Sequence, residues 1–141
     1  MPGFVLERTA KRMKQFFQQT LSAAGADITI DQWVVLQVLN QREGLSQLEI
    51  AKATFKDAPT ITRIIDLLCN KSLTQRVLDP KDRRRFRIRL TKQGKAKIEE
   101  VLPIIKNARQ KAWRGLDEAQ MRQLMGTLNM VFDNLSPEET K

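Results

Sequence analysis

The chain has 141 residues, the size of one ordinary domain, and its 41% apolar and 29% charged residues exclude intrinsic disorder and permit one packed core. No apolar run approaches the roughly 20 residues of a membrane-spanning helix, and the opening MPGFVLERTAKRMK lacks the apolar core of a secretory signal, so a cytoplasmic protein without a membrane partner is expected. A single cysteine, Cys69, and no histidine argue against an intrachain disulfide, a metal site or a cofactor, while a net charge of +9 points to a polyanionic partner.

From Phe4 to about Ala24, Leu6, Ala10, Met13, Phe17 and Leu21 recur at spacings of three and four, which predicts an amphipathic helix. After a break at Gly25-Ala26-Asp27, Thr29-Ile30-Asp31-Gln32 forms a capping box, with Ile28 and Trp33 at the staple positions. The helix it opens runs to about Gln41, buries Trp33, Val35, Leu36 and Leu39, and stops near Gly44. Ser46-Gln47-Leu48-Glu49 repeats the start signal for a short helix to about Thr54. Asp57 caps the next helix, which tolerates Pro59 in its first turn. There Ile61, Ile64, Ile65 and Leu68 make the inner stripe, and Thr60, Thr62, Arg63 and Asp66 lie on the opposite face. A short helix over 46–54, a brief turn and a second helix over 58–71 make a helix-turn-helix pattern.

Beyond Lys71 the period drops to two, with Leu73, Gln75 and Val77 and then Phe86, Ile88 and Leu90 alternating with polar residues. Two antiparallel strands enclosing Asp79 to Arg85 fit this pattern and form a hairpin wing beside the second helix of the pair. The charge is concentrated there, since Arg76 to Lys97 holds ten basic residues against Asp79 and Asp82 alone. Thr91 caps a long helix with Ile98, Val101, Leu102, Ile105, Ala108 and Ala112 in its stripe, expected to bend at Pro103. Asp117-x-x-Gln120 opens a last helix bearing Met121, Leu124, Met125, Leu128, Val131, Phe132 and Leu135.

The predicted fold is therefore mainly α with a small β-hairpin wing in one domain. Residues 30–91 form the winged helix-turn-helix lobe, and about 4–24 and 92–135 form a helical dimerisation region. The flanking stripes have no sufficient partner within one chain, so a homodimer is expected.

From about Ile30 to Gly94 the sequence resembles the multiple antibiotic resistance regulator (MarR) family of winged-helix transcription factors. The run Asp79-Pro80-Lys81-Asp82-Arg83-Arg84-Arg85-Phe86-Arg87-Ile88-Arg89-Leu90-Thr91-Lys92-Gln93-Gly94 is similar to the family's D-P-x-D-R-R followed by a strand ending L-T-x-x-G. Leu48-Glu49-Ile50-Ala51 and Thr60 to Leu68 look like its helix-turn-helix pair. One departure is Ser72, which stands where the family usually has a helix-ending glycine. The resemblance implies a dimeric regulator, in the main a repressor, of a pseudo-palindromic double-stranded operator, released by a small aromatic or phenolic effector.

Thr hydroxyls and methyls and Arg can read base edges in the major groove or hold phosphates, so Pro59, Thr60, Thr62 and Arg63 are the candidate recognition face. In the wing, the resemblance assigns Asp82 to holding the hairpin and Arg84 to entering the minor groove. Arg83 and Arg85 are expected to meet phosphates or Asp79. Met13, Phe16, Phe17, Trp33 and Trp113 are the candidates for an effector pocket, and ordinary core is the simpler reading of the same residues. Cys69 is expected to be a packing residue, because the C-terminal end of a helix disfavours a thiolate.

Without histidine, a partnered cysteine, a Gly-rich phosphate loop or a G-x-S-x-G elbow, no catalytic residue is assigned. The alternative to an operator-binding regulator is a winged-helix module for RNA or protein. Phe86 is the only aromatic near the contact face, and RNA readers commonly stack bases on exposed aromatics, which favours duplex DNA.

Overall fold

The computed structural model describes residues 1–137. They fall into two units, one ending at Ala108 and one beginning at Arg109. The elements follow in the order α1 (Pro2–Ala23), α2 (Ile30–Gln41), β1 (Leu45–Ser46), α3 (Gln47–Thr54), α4 (Ala58–Asn70), β2 (Thr74–Leu78), β3 (Phe86–Leu90), α5 (Lys92–Ala112) and α6 (Glu118–Leu135). The last turn of α5 lies in the second unit.

Helix starts are set by local chemistry, as the sequence predicts. Thr29 with Gln32, Ser46 with Glu49 and Asp117 with Gln120 each complete both hydrogen bonds of the capping box. Asp57 accepts the Thr60 N–H at 2.7 Å, and the Thr91 hydroxyl accepts the Gly94 N–H at 2.9 Å. α5 is one uninterrupted helix through Pro103.

The core of the first unit joins all its helices. Leu21 of α1, Trp33, Val35, Leu36 and Leu39 of α2, Ile50 of α3, Ile61, Ile65 and Leu68 of α4, Ile88 of β3, and Ile98, Val101 and Ile105 of α5 are buried in one cluster. Full burial of each large aliphatic side chain contributes on the order of 1.5–3 kcal/mol, so this cluster fixes how α4 is presented.

Two features of the sheet differ from the hairpin expected. It has three strands in the order β1-β3-β2, because Leu45 and Ser46 pair with Ile88 and Arg87. A two-residue strand carries no periodicity and is invisible to a pattern of alternation. The inward set of β2 also differs: Leu73 precedes the strand, Thr74 is buried and Gln75 is exposed. The buried Thr74 hydroxyl is satisfied 3.3 Å from Cys69 Sγ, which lets a polar residue take the inner position.

The exit from α4 is a Schellman motif. Ser72 N–H donates to Cys69 O at 2.9 Å and Leu73 N–H to Leu68 O at 3.0 Å, with Ser72 at φ +61°. The sequence departure thus keeps the left-handed geometry a glycine would adopt, at the steric cost of a Cβ. That cost is about 1–2 kcal/mol, offset in part by the roughly 0.4–1 kcal/mol that a serine saves in unfolded-chain entropy. Ser72→Gly is therefore expected to stabilise the protein by about 0.5–1 kcal/mol, read as a rise in the urea midpoint at unchanged slope; a fall would show that the Ser side chain carries more than strain.

Candidate nucleic-acid interface

α4 presents its apolar stripe to the core and leaves Pro59, Thr62 and Arg63 exposed and Thr60 half-buried. Thr60 is engaged at the N-cap of its own helix, where its hydrogen bonds to the Asp57 carboxyl hold that group below the usual carboxylate range. Arg63 adds a favourable charge to the same group, so the helix start combines a cap with a cation further along the same helix. The turn between α3 and α4 places Phe55 at φ +55°, in the left-handed region.

The wing is built by its two acids. Asp82 Oδ1 accepts the Arg84 N–H at 3.1 Å, and Asp82 Oδ2 lies 3.7 Å from Arg85 Nε. Asp79 Oδ1 accepts the Lys81 N–H at 2.8 Å, and its Oδ2 accepts from Arg87 Nε at 3.2 Å. The expected partners of Asp79, Arg83 and Arg85, are thereby corrected to Arg87. Asp79 sits at the base of the loop, where the cross-strand neighbour reaches it and the loop-tip arginines do not. Among the described residues, no carboxylate lies within 4.0 Å of the Arg83 or Arg84 guanidinium. Both are exposed, and Phe86 beside them is 47% exposed.

Three residues outside the predicted set tie wing to helices. Arg76 of β2 donates from Nη2 to Asp66 Oδ1 at 2.6 Å and from Nε to Gln47 Oε1 at 3.1 Å, and Gln47 Nε2 donates to Thr62 Oγ1 at 2.9 Å. Arg76 Nη1 also lies 3.9 Å from the sulfur of the half-buried Cys69. The sequence signal was the first basic residue of the charged run, read there as charge alone.

The candidate effector residues are only partly brought together. Phe16 and Phe17 meet edge to face with centroids 5.7 Å apart, and they and Met13 are half-buried on α1. Trp33 is 2% exposed within the core, and Trp113 is half-buried in the second unit. An open hollow of about 410 Å³ lies instead among Gln18, Ser22, Asp27, Thr29 and Lys71.

A helix exposed along its N-terminal half beside a basic two-stranded ribbon defines a winged helix-turn-helix protein. Residues 28–86 match the model of the MarR family. The chain is 30% identical over 134 residues to the HTH-type transcriptional repressor IacR of Pseudomonas putida, an alignment covering 95% of this chain and 79% of that protein. It is similar to the S. aureus MepR–DNA complex, with TM-score 0.85, 30% identity, and coverage of 96% of this chain and 98% of that one. It also resembles Bordetella bronchiseptica BpsR, whose DNA binding is regulated by 6-hydroxynicotinic acid, with TM-score 0.82, 31% identity, and coverage of 92% and 96%. The chain belongs to the MarR family.

The Asp79 carboxyl is held below the ordinary carboxylate range by the Lys81 N–H, against a smaller desolvation that opposes it, and by the Arg87 guanidinium. A depressed folded-state pKa contributes stability that is complete above about pH 4 and is lost as pH falls through the folded value. An NMR titration should place the Asp79 midpoint below ~3.9 and move it upward in Arg87→Ala. A midpoint at the ordinary value, unmoved by the substitution, would remove the ion pair from the account of the wing.

Proposed function

We propose that this MarR-family protein is a transcriptional repressor that binds a pseudo-palindromic operator as a homodimer, with α4 in the major groove and the wing tip in the adjacent minor groove. The carrying observation is that the wing's acids are engaged at the turn and the strand base, leaving Arg83 and Arg84 clear of carboxylates at the tip of a ribbon that Arg76 ties to the exposed face of α4 through Asp66. Thr62, Arg63 and neighbouring Pro59 and Thr60 face base edges and the flanking phosphates, Arg84 enters the minor groove, and Arg83 and Arg85 meet phosphates. The IacR and MepR likenesses support this reading. The site is one of binding rather than catalysis, and a regulator of chromosomal DNA works in the cytoplasm. Among the described residues no helix is long and apolar enough to cross a membrane.

The helix and wing separate in a titration. Arg63→Ala should cost roughly 1–3 kcal/mol at one preferred base pair and flatten discrimination there. Arg84→Ala should weaken binding to all sites and lose most where the flanking groove is A·T-rich. Titrations of operator and scrambled duplexes over several salt concentrations read both; parent-like binding by both variants would favour an RNA- or protein-interaction module instead.

Dimerisation is supported by apolar faces that one chain leaves uncovered. Phe4, Val5 and Leu6 are exposed on α1, and α6 has no buried residue, with Met125, Met130 and Leu135 at 60%, 66% and 79% exposure. A second copy covering these faces sets two recognition helices about one helical turn of DNA apart, near 10 base pairs. Leu128→Asp would place an uncompensated charge in that interface and should give monomers in sedimentation; an intact folded dimer would overturn the assignment.

Release by a small aromatic or phenolic effector is the regulatory half of the proposal, supported by the likeness to BpsR. Met13, Phe16 and Phe17 supply a half-buried apolar wall on α1. Trp33, being 2% exposed, belongs to the buried core and presents no accessible surface to a ligand.

A further inference from the structure

The hydrogen-bond chain running from the wing into α4 has a fixed direction. Arg76 has donors only, so the oxygen of the Gln47 amide must face it, and the amide NH₂ must face Thr62. The Ala58 carbonyl has no proton to give, so the Thr62 hydroxyl donates to it, at 3.1 Å. Thr62 Oγ1 has thus spent its one proton on Ala58 and one lone pair on Gln47, and a single lone pair remains on this exposed side chain. Asp66 holds Arg76 in place from the same helix, at 2.6 Å.

We infer that Arg76 and Gln47 are specificity-determining residues that never need to touch DNA: their relay presents Thr62 as a hydrogen-bond acceptor, and so selects a base bearing a major-groove amino group, adenine or cytosine, at one position of each half-site. The inference rests on the reading of α4 as the recognition helix. A threonine hydroxyl left to rotate can donate as well as accept, and therefore discriminates poorly between amino and keto edges. The relay removes that freedom. Arg76 is a positioning residue here, acting through Gln47, and its removal alters selectivity at one base while leaving phosphate contacts unchanged.

The test uses the full chain and the duplex it enriches from a random pool. In that duplex, each adenine of a half-site is replaced in turn by purine and each cytosine by 2-pyrimidinone, which deletes only the amino group. One deletion is expected to weaken the parent about threefold to tenfold, the worth of one hydrogen bond, and to lose its effect in Thr62→Val. In Gln47→Leu and Arg76→Met the same deletion should cost less than about twofold, with the salt dependence of binding unchanged. Thermal unfolding checks that each variant is folded, and Gln47→Leu decides if Arg76→Met is not. A deletion penalty that persists in Gln47→Leu, or a uniform loss of affinity for every duplex with the penalty intact, would reduce the relay to a structural brace. So would a parent indifferent to every amino deletion. A parent that enriches no duplex would instead overturn the operator-binding reading, and the inference with it.

Discussion

The placement of the wing against the recognition helix hangs on one chain reversal, at Ser72 and Leu73. Leu73 N–H closes the end of α4 on Leu68 O, and Leu73 O accepts the Thr91 N–H at 3.1 Å where β3 gives way to α5. The Thr91 hydroxyl donates to Ser72 O at 2.6 Å while accepting from Gly94 N–H. A Cβ at position 94 would lie 2.1 Å from Leu73 O, so only glycine lets the start of α5 come this close. Four hydrogen bonds thereby satisfy six backbone groups in one corner, and the end of α4, the start of β2, the end of β3 and the start of α5 share one fixed point. The angle between helix and wing, which decides whether both can reach one duplex, follows from it.

Charge on the surface is arranged by where the acids are spent. Asp79 and Asp82 are used inside the wing, on backbone N–H groups and on Arg87 and Arg85, and Asp66 is used on Arg76. Each of these pairs is partly exposed and contributes little to stability by itself. Their larger effect is geometric. They fix the loop and hold neighbouring cations, leaving the Arg83 and Arg84 guanidiniums without a carboxylate partner among the described residues. Ion pairing that would have quenched the patch builds its scaffold instead.

What could be read from the sequence was what is local. Three capping boxes and the Asp57 cap are defined by residues three apart, and each is present. The apolar stripe of α4 was legible for the same reason. The Arg76–Gln47–Thr62 chain was not, because its members lie 29 and 15 residues apart and meet only once the sheet and the helix pair are assembled. β1 was hidden by its length, and its pairing of Leu45 with Ile88 depends on a neighbour far along the chain. The partner of Asp79 was misread for a related reason: nearness in sequence favoured the loop arginines, while antiparallel pairing brings Arg87 across from Val77, two residues before it. On α1 and α6 the periodicity was legible but not its destination, since a stripe states that a face is apolar and not which chain covers it.

Strain brackets the recognition helix at both ends. Phe55, three residues before α4, and Ser72, two residues after it, are both non-glycine residues in the left-handed region. Each costs about 1–2 kcal/mol relative to an ordinary conformation, and each persists because its neighbours are over-determined. At the front, the Phe55 and Lys56 N–H groups close α3 while Asp57 caps α4; at the back, the Schellman bonds close α4 while Thr91 grips Ser72 O. Two tight reversals confine α4 between fixed ends, so its apolar stripe cannot slide or rotate in the core without breaking a cap. Under the proposed reading of α4 as the recognition helix this matters, because a rotation of one residue would turn Thr62 and Arg63 away from the face that Asp57, Gln47 and Arg76 define. The strain is thus the stability given up for a recognition surface with one orientation.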